Sequence, residues 1–259
     1  MGRLFLLYSA YVLALSFAFG TFVYPFDPEP FVDPDWTQRS IIAPDGTEIP
    51  VAMRQGDRAA PVLLYFIGNG GSRRFFRTPL NRFADAGFTV VTMAYRGGEG
   101  VPGLKREATL KSDALALYDQ LGDVLGFEPR VVHAKGYSLG TGVAAHVAAE
   151  REVGSLLLLA PYDRLCRLMG QRSYTPACQI PWIDRWDSAA LMEEVTAPVM
   201  IVHGRADELI PVAYGERLAA AAEAAGRDVT ARYFDGVGHS GFLRTTAYDE
   251  MIAFVKDHS

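Results

Sequence analysis

A serine hydroxyl is a poor nucleophile at neutral pH. It needs a base to draw off its proton, and the base needs an acid to orient it. The sequence offers the three residue types in the order Ser138, Asp207, His239. Ser138 lies in Gly136-Tyr137-Ser138-Leu139-Gly140, the G-x-S-x-G nucleophile-elbow pattern. A short apolar run, 131–134, precedes it and a helix-forming run, 143–149, follows. Strand, sharp turn and helix would hold the serine in a strained backbone conformation. The positions two before and two after it must then be nearly free of side chain. The hydroxyl would stand at a strand's carboxyl end and a helix's amino end, where backbone N–H groups and the helix dipole favour a developing anion.

Histidine suits the base because its pKa lies near the working pH. Of five histidines, His133 falls inside a strand, His146 inside the helix after the elbow, and His258 at the tail. His203 directly precedes Gly204, where a histidine packs or braces a turn. His239 is in a glycine-flanked loop after the last strand and alone completes the order nucleophile, acid, base. For the acid, Asp207 follows the strand 199–202 and falls between serine and histidine. Its neighbour Glu208 and the later Asp235 are the rivals, Asp235 reading as a turn or solvated residue. Acyl transfer also develops an oxyanion, which preorganised N–H donors stabilise by a few kcal/mol. The backbone N–H of Leu139, after the nucleophile, and of Asn69, after the first long strand, are the expected donors.

Those residues need a frame. Residues 39–43 and 48–53 alternate around Pro44-Asp45-Gly46 and predict an antiparallel hairpin at a sheet edge. Runs 62–67 and 88–94 are continuously apolar, as strands buried on both faces are. Ser72 is placed to cap a helix through about residue 86, and 109–125 has helical periodicity. Strands at 155–159, 199–202 and 229–234 follow, with helices at 212–225 and 241–258. The alternation predicts an α/β fold, a mostly parallel doubly wound sheet with helices on both faces. Its site should lie beyond the carboxyl ends of the strands. Asn69, Tyr95-Arg96, Ser138, Asp207 and His239 all fall at such ends. Residues 163–186 have no clean period and are long enough to be a functional, lid-like insertion. Their Leu165, Leu168, Met169, Ile180, Trp182 and Ile183 would shape an acyl pocket or simply pack over the sheet.

The chain has 259 residues, 49% hydrophobic and 21% charged, so it can bury a sizeable core and is not disordered. A net charge of −5 with no basic stripe excludes nucleic acid as the expected partner. Residues 4–23 carry no charge and are long enough to span a bilayer. Arg3 lies before them and Asp27, Glu29, Asp33 and Asp35 after, which places the catalytic part on the non-cytoplasmic side, periplasmic or extracellular in a bacterium. A cleaved signal peptide, with Ala18-Phe19-Gly20 as its site, and a buried core helix are the alternatives. The sequence thus divides into an anchor or signal at 1–24, a proline- and acid-rich linker at 25–38, and a catalytic domain at 39–259 with the insertion 163–186. Tyr24, Phe26 and Trp36 could sit at the membrane interface. Cys166 and Cys178 would bond in an oxidising compartment or stay free thiols, and their spacing does not suggest a metal site.

Several stretches resemble the α/β-hydrolase superfamily. They are Phe66-Ile67-Gly68-Asn69-Gly70-Gly71, Tyr95-Arg96-Gly97, the run Gly136 to Gly142, Asp184 to Ser188, Ala197-Pro198-Val199, His203-Gly204-Arg205-Ala206-Asp207 and Gly238-His239. The branch most similar is that of small membrane-anchored serine hydrolases, like serine-aminopeptidase-like hydrolases and protein depalmitoylases. The resemblance covers roughly residue 39 to the end and implies a Ser138–Asp207–His239 triad with no cofactor and no metal. It departs at Ile67, where histidine is usual; at Ala94, where aspartate is common; and at Lys135, which could alter the charge near the elbow. The expected activity is hydrolysis of a carboxylic ester or thioester of a small or acylated substrate through an acyl-enzyme. The alternatives are an aminopeptidase-type serine peptidase, for which Glu99 and the lid acids are candidate amine ligands, and a non-catalytic membrane-tethered binding protein.

Overall fold

The protein is described by a computed structural model covering residues 2–259. An antiparallel hairpin opens the sheet, β1 (Thr37–Ile42) against β2 (Glu48–Arg54), with Thr37 opposite Met53. Six more strands follow: β3 (Val62–Phe66), β4 (Thr89–Met93), β5 (Val132–Tyr137), β6 (Leu156–Leu159), β7 (Val199–Gly204) and β8 (Val229–Phe234). They lie in the order β1-β2-β4-β3-β5-β6-β7-β8. From β4 onward every neighbouring pair is parallel. Every residue of β3, β4, β6 and β7 is buried, which is why these segments read as unbroken apolar runs. β8, at the edge, is only partly covered. The winding reverses between the adjacent strands β3 and β5, so a crevice opens beyond their carboxyl ends.

The helices are α1 (Gly2–Val23), α2 (Arg77–Asp85), α3 (Glu107–Asp119), α4 (Leu121–Leu125), α5 (Gly140–Glu150), α6 (Leu165–Ser173), α7 (Ser188–Leu191), α8 (Val212–Ala224) and α9 (Ala247–Asp257). Four of them depart from the sequence reading for tertiary reasons. Ser72 makes no side-chain cap; a 3-10 turn, Arg73–Phe76, comes first. The Arg73 N–H it precedes is taken instead by Glu99 Oε1 at 2.7 Å. The helix expected over 109–125 breaks at Gln120, whose side chain bonds both Ile42 N–H and Ile42 C=O on β1. The C-terminal helix begins late, because Thr245 Oγ1 accepts from Ala247 N–H after a 3-10 turn over Gly241–Arg244. The 163–186 insertion contains α6. Its buried face is Leu165, Cys166 and Leu168, too short a stripe among arginines and glycine to show a period.

Residues 25–36 have no regular structure, as a linker would, yet they are not a free spacer. Tyr24, Phe26, Phe31 and Trp36 are each at most 5% exposed. None of the three aromatics expected at a membrane interface stands there. Their polar atoms are satisfied inside the protein. Tyr24 Oη donates to Asp184 Oδ2 at 2.5 Å and accepts from Trp186 Nε1 at 2.8 Å, while Trp36 Nε1 donates to Asn81 at 3.0 Å. A buried Tyr or Trp is stable when its polar end finds such a partner.

α1 has 22 residues, with an 18-residue stretch of mean hydropathy 1.8, so by length and composition it could cross a membrane. One stripe, Val12, Leu15, Phe19, lies on the insertion, packed with Cys166, Ala177, Ile180 and Ile183. Tyr8 and Tyr11 donate to the carbonyls of Tyr174 and Ser173, each at 2.8 Å, and Phe17 stacks on Trp182. Cys166 and Cys178 form a disulfide that ties α6 to the following 3-10 turn, Ala177–Gln179. The bond closes a short loop, for which the chain-entropy argument gives roughly 2–3 kcal/mol of stabilisation. A Cys166→Ala/Cys178→Ala double variant should therefore lose about that much in denaturant unfolding, and reductant should bring the wild type to the same value. A variant as stable as the oxidised wild type would show that the loop is held by packing alone.

Candidate active site

The elbow is built from close backbone approach. β5 ends at Tyr137 and α5 begins at Gly140, with Ser138 between them at φ 52°. That left-handed conformation is unfavourable for a residue with a side chain. It is fixed by Ser138 N–H donating to Leu159 C=O at 2.9 Å and by Thr141 Oγ1 donating to Ser138 C=O at 2.6 Å. A Cβ at Gly136 would strike the Gly140 carbonyl, and one at Gly140 would strike the Phe66 carbonyl on β3. A third glycine is needed for the same reason: a Cβ at Gly142 would meet the Tyr162 hydroxyl and lie 2.6 Å from the Trp186 ring.

The structure brings Ser138, His239 and Asp207 together. His239 Nε2 lies 3.0 Å from Ser138 Oγ, and His239 Nδ1 lies 2.7 Å from Asp207 Oδ2. With Nδ1–H donating to the carboxylate, Nε2 presents its lone pair to the serine hydroxyl. Asp207 is 5% exposed, and its Oδ1 accepts from Leu209 N–H at 2.9 Å and Ile210 N–H at 2.8 Å. Burial alone would push this carboxyl up. Hydrogen bonds from His203 and His239, the nearby imidazole charge and the Ile210 N–H outweigh it and hold the carboxyl well below the usual carboxylate range. The rival Asp235 is an exposed partner of Arg205, 3.1 Å away on the surface. Glu208 is exposed and contributes only its carbonyl, to Arg172.

Two positioning residues escape a motif reading. Tyr137, the variable residue of G-x-S, donates its hydroxyl to His239 C=O at 2.9 Å, and its ring lies 5.2 Å from the imidazole. His203 is fully buried; its Nε2 lies 2.8 Å from Ile210 C=O and 3.4 Å from Asp207 Oδ2. It braces the acid's loop. Its place immediately before Gly204 was the one available signal. The other histidines lie elsewhere: His133 bonds Ser155 at 2.8 Å, and His258 bonds Phe254 C=O at 2.7 Å. Lys135 is buried against Tyr65, its Nζ 3.5 Å from the ring centroid and without a hydrogen-bond partner among the described residues. Burial drives its pKa well down.

Asn69 lies in the loop that follows β3, and Leu139 is the residue between Ser138 and α5. Among the described residues, the N–H of neither donates to a backbone acceptor. The loop around Asn69 is held by Tyr95 Oη donating to Ile67 C=O at 2.9 Å and by Gly71 N–H donating to Gly68 C=O at 3.1 Å. The acids considered as amine ligands are already committed. Glu99 is 4% exposed, forks with Arg73 at 2.6 Å and accepts from Phe31 N–H. Asp163 holds Arg167 and Arg217, Asp184 holds Tyr24, and Asp187 holds Arg164. Leu165, Met169, Trp182 and Ile183 line a cavity of about 290 Å³ between α1 and the insertion; Leu168 and Ile180 pack inward instead.

The description "prolyl oligopeptidase family" belongs to a family model that matches residues 175–259. The chain is similar to an uncharacterized protein of Mycobacterium tuberculosis, 29% identical over 220 residues, which span 78% of this chain and 75% of that one. It is also similar to the lysophosphatidylserine lipase ABHD12 of Danio rerio, 28% identical over 178 residues. That match takes in 61% of this chain but under half, 46%, of the lipase. Among solved structures, an esterase of Pyrococcus furiosus superposes with a TM-score of 0.74 at 15% identity, over 90% of this chain and 97% of that one. The acylaminoacyl peptidase of Pyrococcus horikoshii does so with a TM-score of 0.72 at 12% identity, over 86% and 41%. By its sheet, its elbow and these likenesses, the chain has the α/β-hydrolase fold.

Proposed function

We propose that the protein is a serine hydrolase that cleaves carboxylic ester or thioester bonds through an acyl-enzyme on Ser138. The observation that carries this reading is the unbroken hydrogen-bonded chain from Asp207 through His239 to Ser138. His239 Nε2 takes the serine proton as Oγ attacks the substrate carbonyl. Asp207 holds the imidazole's tautomer and stabilises the imidazolium that forms. The carbonyl oxygen becomes an anion between the free N–H groups of Asn69 and Leu139, at the amino end of α5. His239 then returns the proton to the leaving group, and water, activated by the same base, releases the acid.

Thioester and ester substrates fit the site better than peptides carrying a free amino terminus. Glu99 and the acids of the insertion, which would bind such an amine, are spent on arginines and backbone donors. An apolar acyl group is favoured by the likeness to a lysophosphatidylserine lipase. In this reading α1 anchors the chain in a membrane, with the catalytic part on the non-cytoplasmic side. The Cys166–Cys178 disulfide accords with an oxidising compartment.

Two measurements test the mechanism. A fluorophosphonate probe should label the wild type, and Ser138→Ala should abolish labelling and lower kcat on p-nitrophenyl esters by more than about a thousandfold. Equal labelling of the two would place the nucleophile elsewhere. The second concerns acid stability. Asp207 has a depressed pKa when folded. Its stabilising contribution is therefore present above its unfolded value, about 4, and is lost as pH falls through the lower folded value. In urea denaturation the stability gap between wild type and Asp207→Asn should hold steady above about pH 5 and narrow as pH falls below about 4. A gap that grew toward acid would mean the carboxyl is not held ionised.

A further inference from the structure

The chain just after α1 touches the loop that follows β3. Asp27 N–H donates to Gly70 C=O at 3.2 Å, and Asp27 C=O accepts from Glu99 N–H at 2.7 Å. One peptide segment thus bridges two facing loops by backbone bonds alone. Phe26 fills the space between them. Its ring occupies the position a Cβ on Gly71 would take, and its Cβ lies 2.9 Å from where a Cβ on Gly98 would stand. Gly71, Gly97, Glu99 and Gly100 all have φ between 49° and 79°. The glycines take this conformation freely, but for Glu99 it is unfavourable and must be held by its surroundings. Here the surroundings are Phe26, packed against Tyr95 with ring centroids 5.4 Å apart, and the Arg73–Glu99 pair beneath. Further along, Asp27 and Glu29 hold Arg74, and Asp33 holds Arg77, on the turn and helix that continue from the same loop.

We propose that Phe26 and Asp27 are positioning residues of the active site: they hold the 68–71 loop in the shape that leaves the Asn69 N–H free for the oxyanion. The inference rests on the reading of Asn69 and Leu139 as oxyanion donors. The chemistry needs such support because an N–H contributes to transition-state binding only if it is already aimed. Without Phe26, the 68–71 loop keeps its bond from Tyr95 and its internal turn, but loses the filler that its glycines fold around. It would then spread over several conformations, most with the N–H misdirected. Ground-state binding of a small ester would change little, since the donor matters most once the anion forms.

The test compares full-length wild type with Phe26→Ala and Phe26→Leu in detergent. The readouts are p-nitrophenyl acetate kinetics and amide deuterium exchange followed by mass spectrometry. Phe26→Ala should lower kcat about tenfold to a hundredfold, with KM within about twofold. Exchange should quicken in 68–72 and 97–100 while β6 stays protected. Phe26→Leu, which restores apolar volume, should recover part of both. If Phe26→Ala does not fold, Phe26→Leu is read alone, and it should show the same effects in smaller measure. Unchanged kcat together with unchanged exchange in 68–72 would overturn the proposal, as would a loss confined to KM. A wild type that hydrolyses no ester and takes no fluorophosphonate would instead defeat the hydrolase reading. The exchange at 68–72 would still decide whether Phe26 orders the loop.

Discussion

The arrangement depends on how closely α5 can approach β3. The Gly140 backbone sits against the carbonyls of Phe66 and Ile67, with no room for one added carbon. That contact sets the angle at which the chain leaves β5, and so keeps Ser138 in its unfavourable left-handed conformation. A turn of this kind survives only because the buried strands on either side are rigid. β3 and β5 are neighbours at the point where the winding reverses. The same approach therefore brings the serine and the loop after β3 to one crevice.

The electrostatics around the crevice are graded by burial. Asp207 is kept ionised in a dry place by two backbone N–H groups and two imidazoles. That carboxylate accepts from His239 Nδ1–H, which leaves Nε2 facing Ser138 Oγ. His203 holds the loop that carries the acid through Ile210, and Tyr137 holds the loop that carries the base through its carbonyl. Both loops are thus tied from behind, leaving the reacting edge of the imidazole free. Lys135, next to Gly136, is buried among aromatic rings and makes no hydrogen bond among the described residues.

What could be read from the sequence follows from the range over which each feature is determined. The strands β3, β4, β6 and β7 are legible because burial on both faces writes itself into consecutive residues. Ser138, Asp207 and His239 are legible as candidates because each follows a strand in a fixed order and the elbow has a local glycine signature. The roles of Gln120, Glu99 and Tyr137 were not legible, for each acts on a residue 26 to 102 positions away. The segment after α1 misled for a related reason. Proline and acid are normal in an exposed spacer, and only the partners Asn81, Asp184 and Gly70, distant in sequence, show that its aromatics belong to the core.

The contacts of α1 have a geometric corollary. A helix rises 1.5 Å per residue, so Tyr8 lies roughly 22 Å along the axis from Val23. Yet Tyr8 is bonded to Tyr174, on a stretch that also carries Arg172 and Gln179. Such polar groups do not belong at mid-bilayer depth. An upright span and the full zipper of Tyr8, Tyr11 and Phe17 on the insertion are thus mutually exclusive. Dissolving α1 in lipid must peel its first half away and part Tyr8 and Tyr11 from the carbonyls of Tyr174 and Ser173.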